Sequence, residues 1–158
     1  VMGCEALQKG AQRVLAVESD PKTAKICESN LLLLAKNQEE EKYAEVACQE
    51  VIQFLNSGFK NYKASKGRTQ RFDLVYIDPP YEANIYSKAL EKLLTGHWIK
   101  KDSLVICEYS SSYHLAGPYS WIEVDRRTYG ATSVLLMSPK PIHYDGTDSK
   151  PPQTNQSM

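Results

Sequence analysis

The stretch Phe72-Asp73-Leu74-Val75-Tyr76-Ile77-Asp78-Pro79-Pro80-Tyr81 decides how this chain folds. Phe72 to Ile77 is a short, largely apolar run of the length of a buried strand. Asp78 follows, and then two consecutive prolines, which lack N–H donors and so stop both a sheet ladder and a helix. Beyond them, Asn84 to Leu94 puts Ile85, Ala89, Leu90, Leu93 and Leu94 on or near one helical face. A strand, a tight acidic loop and a helix are therefore predicted in immediate succession.

The same alternation extends in both directions. Gly3 to Lys9 reads as a helix with no strand before it. Arg13 to Glu18 (RVLAVE) reads as a strand, and Ser19, Asp20 and Pro21 start the next helix. There Asp20 can cap the free N–H groups, and Pro21 fits the first helical position because its missing N–H would have no partner anyway. Ala24, Cys27, Leu31 and Leu34 give that helix a buried face. Glu45 to Cys48 is a weaker strand, followed by a short helix over Glu50 to Leu55. Ser103 to Tyr109 (SLVICEY) is the next strand. Trp121 to Thr128 and Thr132 to Met137 form a closing hairpin about Tyr129 and Gly130. The pattern predicts an α/β fold, with a mostly parallel sheet covered by helices on both faces and antiparallel strands at one edge.

Composition excludes several classes. The chain has 158 residues, 42% hydrophobic and 24% charged, the balance of one ordinary globular domain. Nineteen basic and nineteen acidic side chains leave no net charge, so any nucleic-acid contact must be local. The longest apolar run, Leu31 to Ala35, predicts no membrane span, and no secretory leader is read at the start. Cys4, Cys27, Cys48 and Cys107 are spaced for neither a zinc site nor a disulfide framework, so no metal is expected and a reducing compartment is the simplest reading. Residues 140–158 are rich in proline and small polar groups, which predicts a flexible tail after a folded unit over 1–139.

In open α/β sheets ligands bind outside the carboxyl ends of the strands. Glu18, Asp78 and Glu108 end or nearly end three predicted strands, and Glu50 lies on the same rim. A chance Asp-Pro-Pro-Tyr in a chain of this length is on the order of one in a thousand. The bland alternative is a proline-rich strand terminator. Basic side chains cluster at Lys60, Lys63, Lys66, Arg68 and Arg71 without an acid among them, and again at Arg126 and Arg127. These are the candidate nucleic-acid contacts, although a solvated surface loop accounts for the first cluster equally well.

Taken with GCEALQKGA (Gly3 to Ala11), VESD (Val17 to Asp20), CEY (Cys107 to Tyr109) and RRTYGATSVLLM (Arg126 to Met137), the strand-DPPY motif resembles the RsmD-type family of 16S ribosomal-RNA guanine-N2 methyltransferases. The resemblance runs from about Val1 to Met137. It implies a Rossmann-like class I methyltransferase sheet and S-adenosylmethionine as methyl donor. It also implies that Glu18 binds the donor's ribose with Ser19 beside it, and that Glu50 stands where the family has an Asp near the adenine amine. Asp78 and the Pro79 carbonyl would hold the target amine, Asp78 also bordering the donor, with Pro80 shaping the loop and Tyr81 stacking on the flipped base. DPPY alone also fits DNA adenine-N6 methyltransferases, and a catalytically inactive module that binds RNA or a partner is the non-enzymatic alternative. The family's first central strand, its glycine loop and an RNA-holding amino-terminal segment would all precede Val1. The chain is therefore expected to be truncated there and, alone, a weak cofactor binder. The expected partner is ribosomal RNA or the small subunit, met by a monomer. The expected compartment is a bacterial cytoplasm, or a plastid or mitochondrion in a eukaryote.

Overall fold

The computed structural model describes residues 2–37, 39–62, 70–79 and 83–141. Helix α1 (Met2–Gln8) leads into strand β1 (Arg13–Glu18), helix α2 (Pro21–Lys36), strand β2 (Tyr43–Cys48) and helix α3 (Val51–Asn56). After a 3₁₀ turn at Phe59–Asn61 come β3 (Phe72–Ile77), α4 (Ala83–Thr95), β4 (Ile99–Ser110), β5 (Trp121–Tyr129) and β6 (Thr132–Pro139). Residues 142–158 of the expected tail lie outside the described residues.

Local chemistry sets these bounds. Asp20 caps α2 through its carboxylate, which accepts from the Thr23 N–H at 2.8 Å and the Thr23 hydroxyl at 2.6 Å, with Pro21 in the first turn. β4 starts at Ile99 rather than at Ser103. The polar Lys100-Lys101-Asp102 segment hid that extension. The structure holds it through Ser103, whose buried hydroxyl accepts from the Lys100 N–H and donates to the Phe72 carbonyl, both at 2.8 Å.

The strands form two hydrogen-bonded groups. β1 and β2 pair in parallel, Arg13 opposite Tyr43 through Glu18 opposite Cys48. The second group has the order β3-β4-β6-β5, parallel between β3 and β4 and antiparallel across the closing hairpin. The predicted α/β architecture is thus present, but among the described residues no strand joins β1 to β3. Every residue of β1 is only half-buried, although its apolar run suits a central position.

The core lies on one face of the four-stranded group, where Val105, Cys107, Leu135 and Met137 are fully buried beneath Leu90 and Leu93 of α4. At its base Trp98 is 1% exposed, surrounded by Phe54, Phe59, Tyr62 and Phe72, and its indole N–H donates to the Leu55 carbonyl at 3.0 Å. Gly96 is required there, because a Cβ would stand 2.7 Å from the Trp98 ring and 2.8 Å from the Lys92 carbonyl. The opposite face is apolar but open, with Leu74 55%, Leu104 37% and Ile122 42% exposed. Among the described residues α3 and α4 cover one side of this group, while α1 and α2 pack on β1 and β2. Among the described residues no helix is long and apolar enough to cross a membrane.

Candidate active site

Within each strand group the register sets the predicted acids at the carboxyl ends of paired parallel strands. Pairing of Glu18 with Cys48, and of the Gln49 N–H with the Glu18 carbonyl at 3.0 Å, puts the ends of β1 and β2 side by side. Ile77 opposite Cys107 likewise sets Asp78 next to Glu108. One Glu18 oxygen accepts from the Asp20 N–H at 3.1 Å, which orients the carboxylate toward the rim loop, and among the described residues no hydrogen bond reaches its second oxygen. Ser19 is exposed in that loop.

Glu50 caps α3. Its two oxygens accept from the N–H groups of Ile52 at 3.0 Å and Gln53 at 2.9 Å, and these bonds hold its carboxyl below the ordinary glutamate range. The same residue lines a cavity of about 250 Å³ with Ile52, Asn84, Ile85 and Lys88. Two apolar walls with a carboxylate acceptor at the edge suit an aromatic heterocycle carrying an amino group. Because the folded pKa of Glu50 is depressed, its contribution to stability is present in full above about pH 4.5 and declines as the pH falls through the lower folded value. Glu50→Ala is expected to cost about 1 kcal/mol at neutral pH and to flatten that acid limb, which urea titrations at pH 7 and pH 3 would show.

Asp78 is exposed and Pro79 half-buried at the end of β3, whereas Pro80 and Tyr81 lie outside the described residues. Among the described residues no hydrogen bond occupies the Asp78 carboxylate, which leaves it available to a ligand. Next to it, the Glu108 carboxylate accepts from the Tyr76 hydroxyl, and the Glu108 carbonyl from the Tyr86 hydroxyl. Burial, and after it the neighbouring Tyr113, hold the Tyr86 hydroxyl well above the ordinary tyrosine range, with Asp78 adding to the effect. Burial also pushes the Cys107 thiol up to about 12, which makes it an inert core group. Sequence reading missed Tyr86 and Lys88. Helical spacing from the DPPY loop was the available signal, since the first turns of α4 must return to the same rim.

The basic candidates are dispersed. Lys60 stands with Arg71 and His97 around a cleft of about 580 Å³ at the start of β3. That is the far rim, roughly 20 Å from Asp78 along a strand of six residues. The carboxyl ends of α3 and α4 finish there, so Lys60 and Arg71 also complement exposed helix carbonyls. Lys63, Lys66 and Arg68 lie outside the described residues. Arg126 is engaged internally through all three nitrogens, by Glu123 at 2.7 Å, the Tyr109 hydroxyl and the Leu115 carbonyl at 2.7 Å. Arg127 bonds Asp125 at 2.9 Å but stays 68% exposed, near the hairpin turn.

The family model described as conserved hypothetical protein 95 matches residues 1–138. The chain belongs to this family. Its motifs resemble the same family, and the relatives carry the corresponding name. Ribosomal RNA small subunit methyltransferase D of Haemophilus influenzae is 29% identical over 135 residues, covering 85% of this chain and 64% of the relative. The protein of that name from Buchnera aphidicola is 27% identical over 123 residues, covering 77% and 56%. The chain thus spans less than two thirds of the length of either. The crystal structure of a candidate methylase from Haemophilus influenzae superposes with a TM-score of 0.68 at 29% identity, over 89% of this chain and 80% of that one. A candidate methyltransferase from Escherichia coli, at 20% identity and a TM-score of 0.71 over 88% and 70%, shares the fold.

Proposed function

We propose that residues 1–139 form the catalytic unit of an S-adenosylmethionine-dependent methyltransferase acting on an exocyclic base amine, guanine N2 of small-subunit ribosomal RNA. The observation that carries this reading is the end of β3 at Asp78-Pro79, in a chain of this family, with Asn84, Ile85 and Lys88 in the first turns of the next helix, α4, lining the Glu50 cavity. The donor set fits the cofactor: Glu18 offers a carboxylate oxygen to vicinal hydroxyls, and the Glu50 cavity offers apolar walls with an amine acceptor. When bound, S-adenosylmethionine supplies an electrophilic methyl group on a sulfonium.

The chain's own residues address the other reactant. An aryl amine is a poor nucleophile because its lone pair is delocalised into the ring. Accepting its two N–H groups at the Asp78 carboxylate and the Pro79 carbonyl favours pyramidal nitrogen and aims the lone pair. Positive charge that develops on nitrogen is stabilised by the same carboxylate. The proton then leaves to Asp78 or to water. A base paired in a helix must first be extruded, which an unpaired target avoids.

Calorimetric titration with S-adenosylhomocysteine tests the cofactor assignment. One weak site per chain is expected at high ligand concentration, weakened about ten-fold or more further in Glu18→Ala by loss of charged hydrogen bonds to the ribose. Equal affinity of wild type and variant would remove Glu18 from the site, and absence of binding would remove the methyl donor from the reading.

A further inference from the structure

We propose that Tyr113 is the stacking platform for the nucleotide adjacent to the methylated one, so that the protein recognises an RNA segment with at least two consecutive unpaired bases. The inference rests on the base-amine methyltransferase reading above and adds a recognition element to it.

Tyr113 belongs to the loop that leaves β4 at the rim holding Asp78. Its ring lies 5.5 Å from that of Tyr109 at 46°, so one side is backed by a residue only 6% exposed while Tyr113 itself is 39% exposed. Tyr86 links it to the candidate catalytic loop, since Tyr113 and Asp78 both act on the buried Tyr86 hydroxyl. Adjacent strands lie about 4.8 Å apart. Asp78 ends β3 and Tyr113 lies beyond the end of the neighbouring β4, so the two stand at adjacent strand ends of one rim.

The loop is built to hold that ring in place. The Ser111 N–H donates to the Ala131 carbonyl at 2.9 Å and its hydroxyl to the Gly130 carbonyl at 2.8 Å, which ties the loop to the hairpin turn. Leu115 is 6% exposed and its carbonyl accepts from Arg126 at 2.7 Å, while Arg126 also donates to the hydroxyl of Tyr109, the ring behind Tyr113. Arg126 is then a positioning residue for this loop. An aromatic ring kept exposed on an otherwise anchored loop loses little entropy when a base stacks on it. The other exposed tyrosines among the described residues are placed differently. Tyr119 already carries the Lys140 ammonium 4.2 Å from its ring centre, and Tyr129 sits at the end of the hairpin.

The test is fluorescence anisotropy with a labelled ten-nucleotide single-stranded RNA containing guanine, compared with the same RNA annealed to its complement. Tyr113→Leu should weaken single-strand binding about ten-fold, Tyr113→Phe should stay within about two-fold of wild type, and the duplex should be affected by neither. S-adenosylhomocysteine affinity and thermal midpoint should be unchanged in both variants. Unchanged binding by Tyr113→Leu would overturn the platform while leaving the methyltransferase reading intact. An equal loss in Tyr113→Phe would assign the effect to the hydroxyl near Tyr86 and also overturn it. Wild type binding neither RNA nor S-adenosylhomocysteine would overturn both.

Discussion

Asp78→Ala should lower methyl transfer to small-subunit ribosomal RNA by roughly a hundred- to a thousand-fold without unfolding the protein. The two parts of this expectation have separate grounds. Catalytically, the carboxylate is asked to orient a weak nucleophile and to stabilise charge that exists only as the bond forms, so its removal should appear in kcat more than in KM. Structurally, Asp78 is exposed and makes no hydrogen bond among the described residues, so its truncation leaves no buried group unsatisfied. Asp78→Asn should fall between the two, because an amide carbonyl still accepts one N–H but carries no charge. Single-turnover rates with labelled methyl donor, measured beside thermal midpoints, check both parts. Equal rates for wild type and Asp78→Ala would remove the residue from the chemistry.

The largest expected effect on stability comes from the other end of the core. Trp98→Ala should cost about 3–5 kcal/mol, the usual range for emptying a buried tryptophan site. Trp98 is 1% exposed, lies within 6.5 Å of the rings of Phe54, Phe59, Tyr62 and Phe72, and gives its N–H to the Leu55 carbonyl. Truncation would open a cavity among four rings and leave that carbonyl without its donor. The ring also joins the end of α3 to the start of β4, and α3 carries the Glu50 cap. The loss is therefore expected to reach the candidate cofactor cavity. Urea denaturation gives the cost directly, and a loss below about 1 kcal/mol would show that the cluster is not a cooperative part of the core.

Both strands whose ends carry the proposed site, β1 and β3, have their predicted bounds, because each is a short apolar run followed at once by residues that end it. Asp20 and Pro21 announced α2 in the same way. Polar segments hid the rest. β4 begins at Ile99 and runs through Lys100-Lys101-Asp102, where the buried Ser103 hydroxyl shows why the chain is already extended. The role of Glu50 as a helix cap was also hidden, since Glu is an uncommon capping residue and its two backbone bonds depend on the turn after β2. Composition marked Arg126 as a phosphate contact, but three internal partners in the structure account for its charge just as well. Tyr113 had no motif to mark it. Its place appears only when β4 is set beside β3 and Tyr113 is seen next to Tyr86, whose hydroxyl donates to the Glu108 carbonyl. Long-range pairings decide these cases, and local pattern carries no information about them.

Nucleoside analysis of the methylated product tests the central claim most directly. Small-subunit ribosomal RNA and duplex DNA would each be incubated with the protein and methyl-labelled S-adenosylmethionine, then digested to nucleosides and separated. The account predicts label in N2-methylguanosine from the RNA, lost in Asp78→Ala. Label in N6-methyladenine from the DNA, or in neither substrate from a protein that binds S-adenosylhomocysteine, would contradict it.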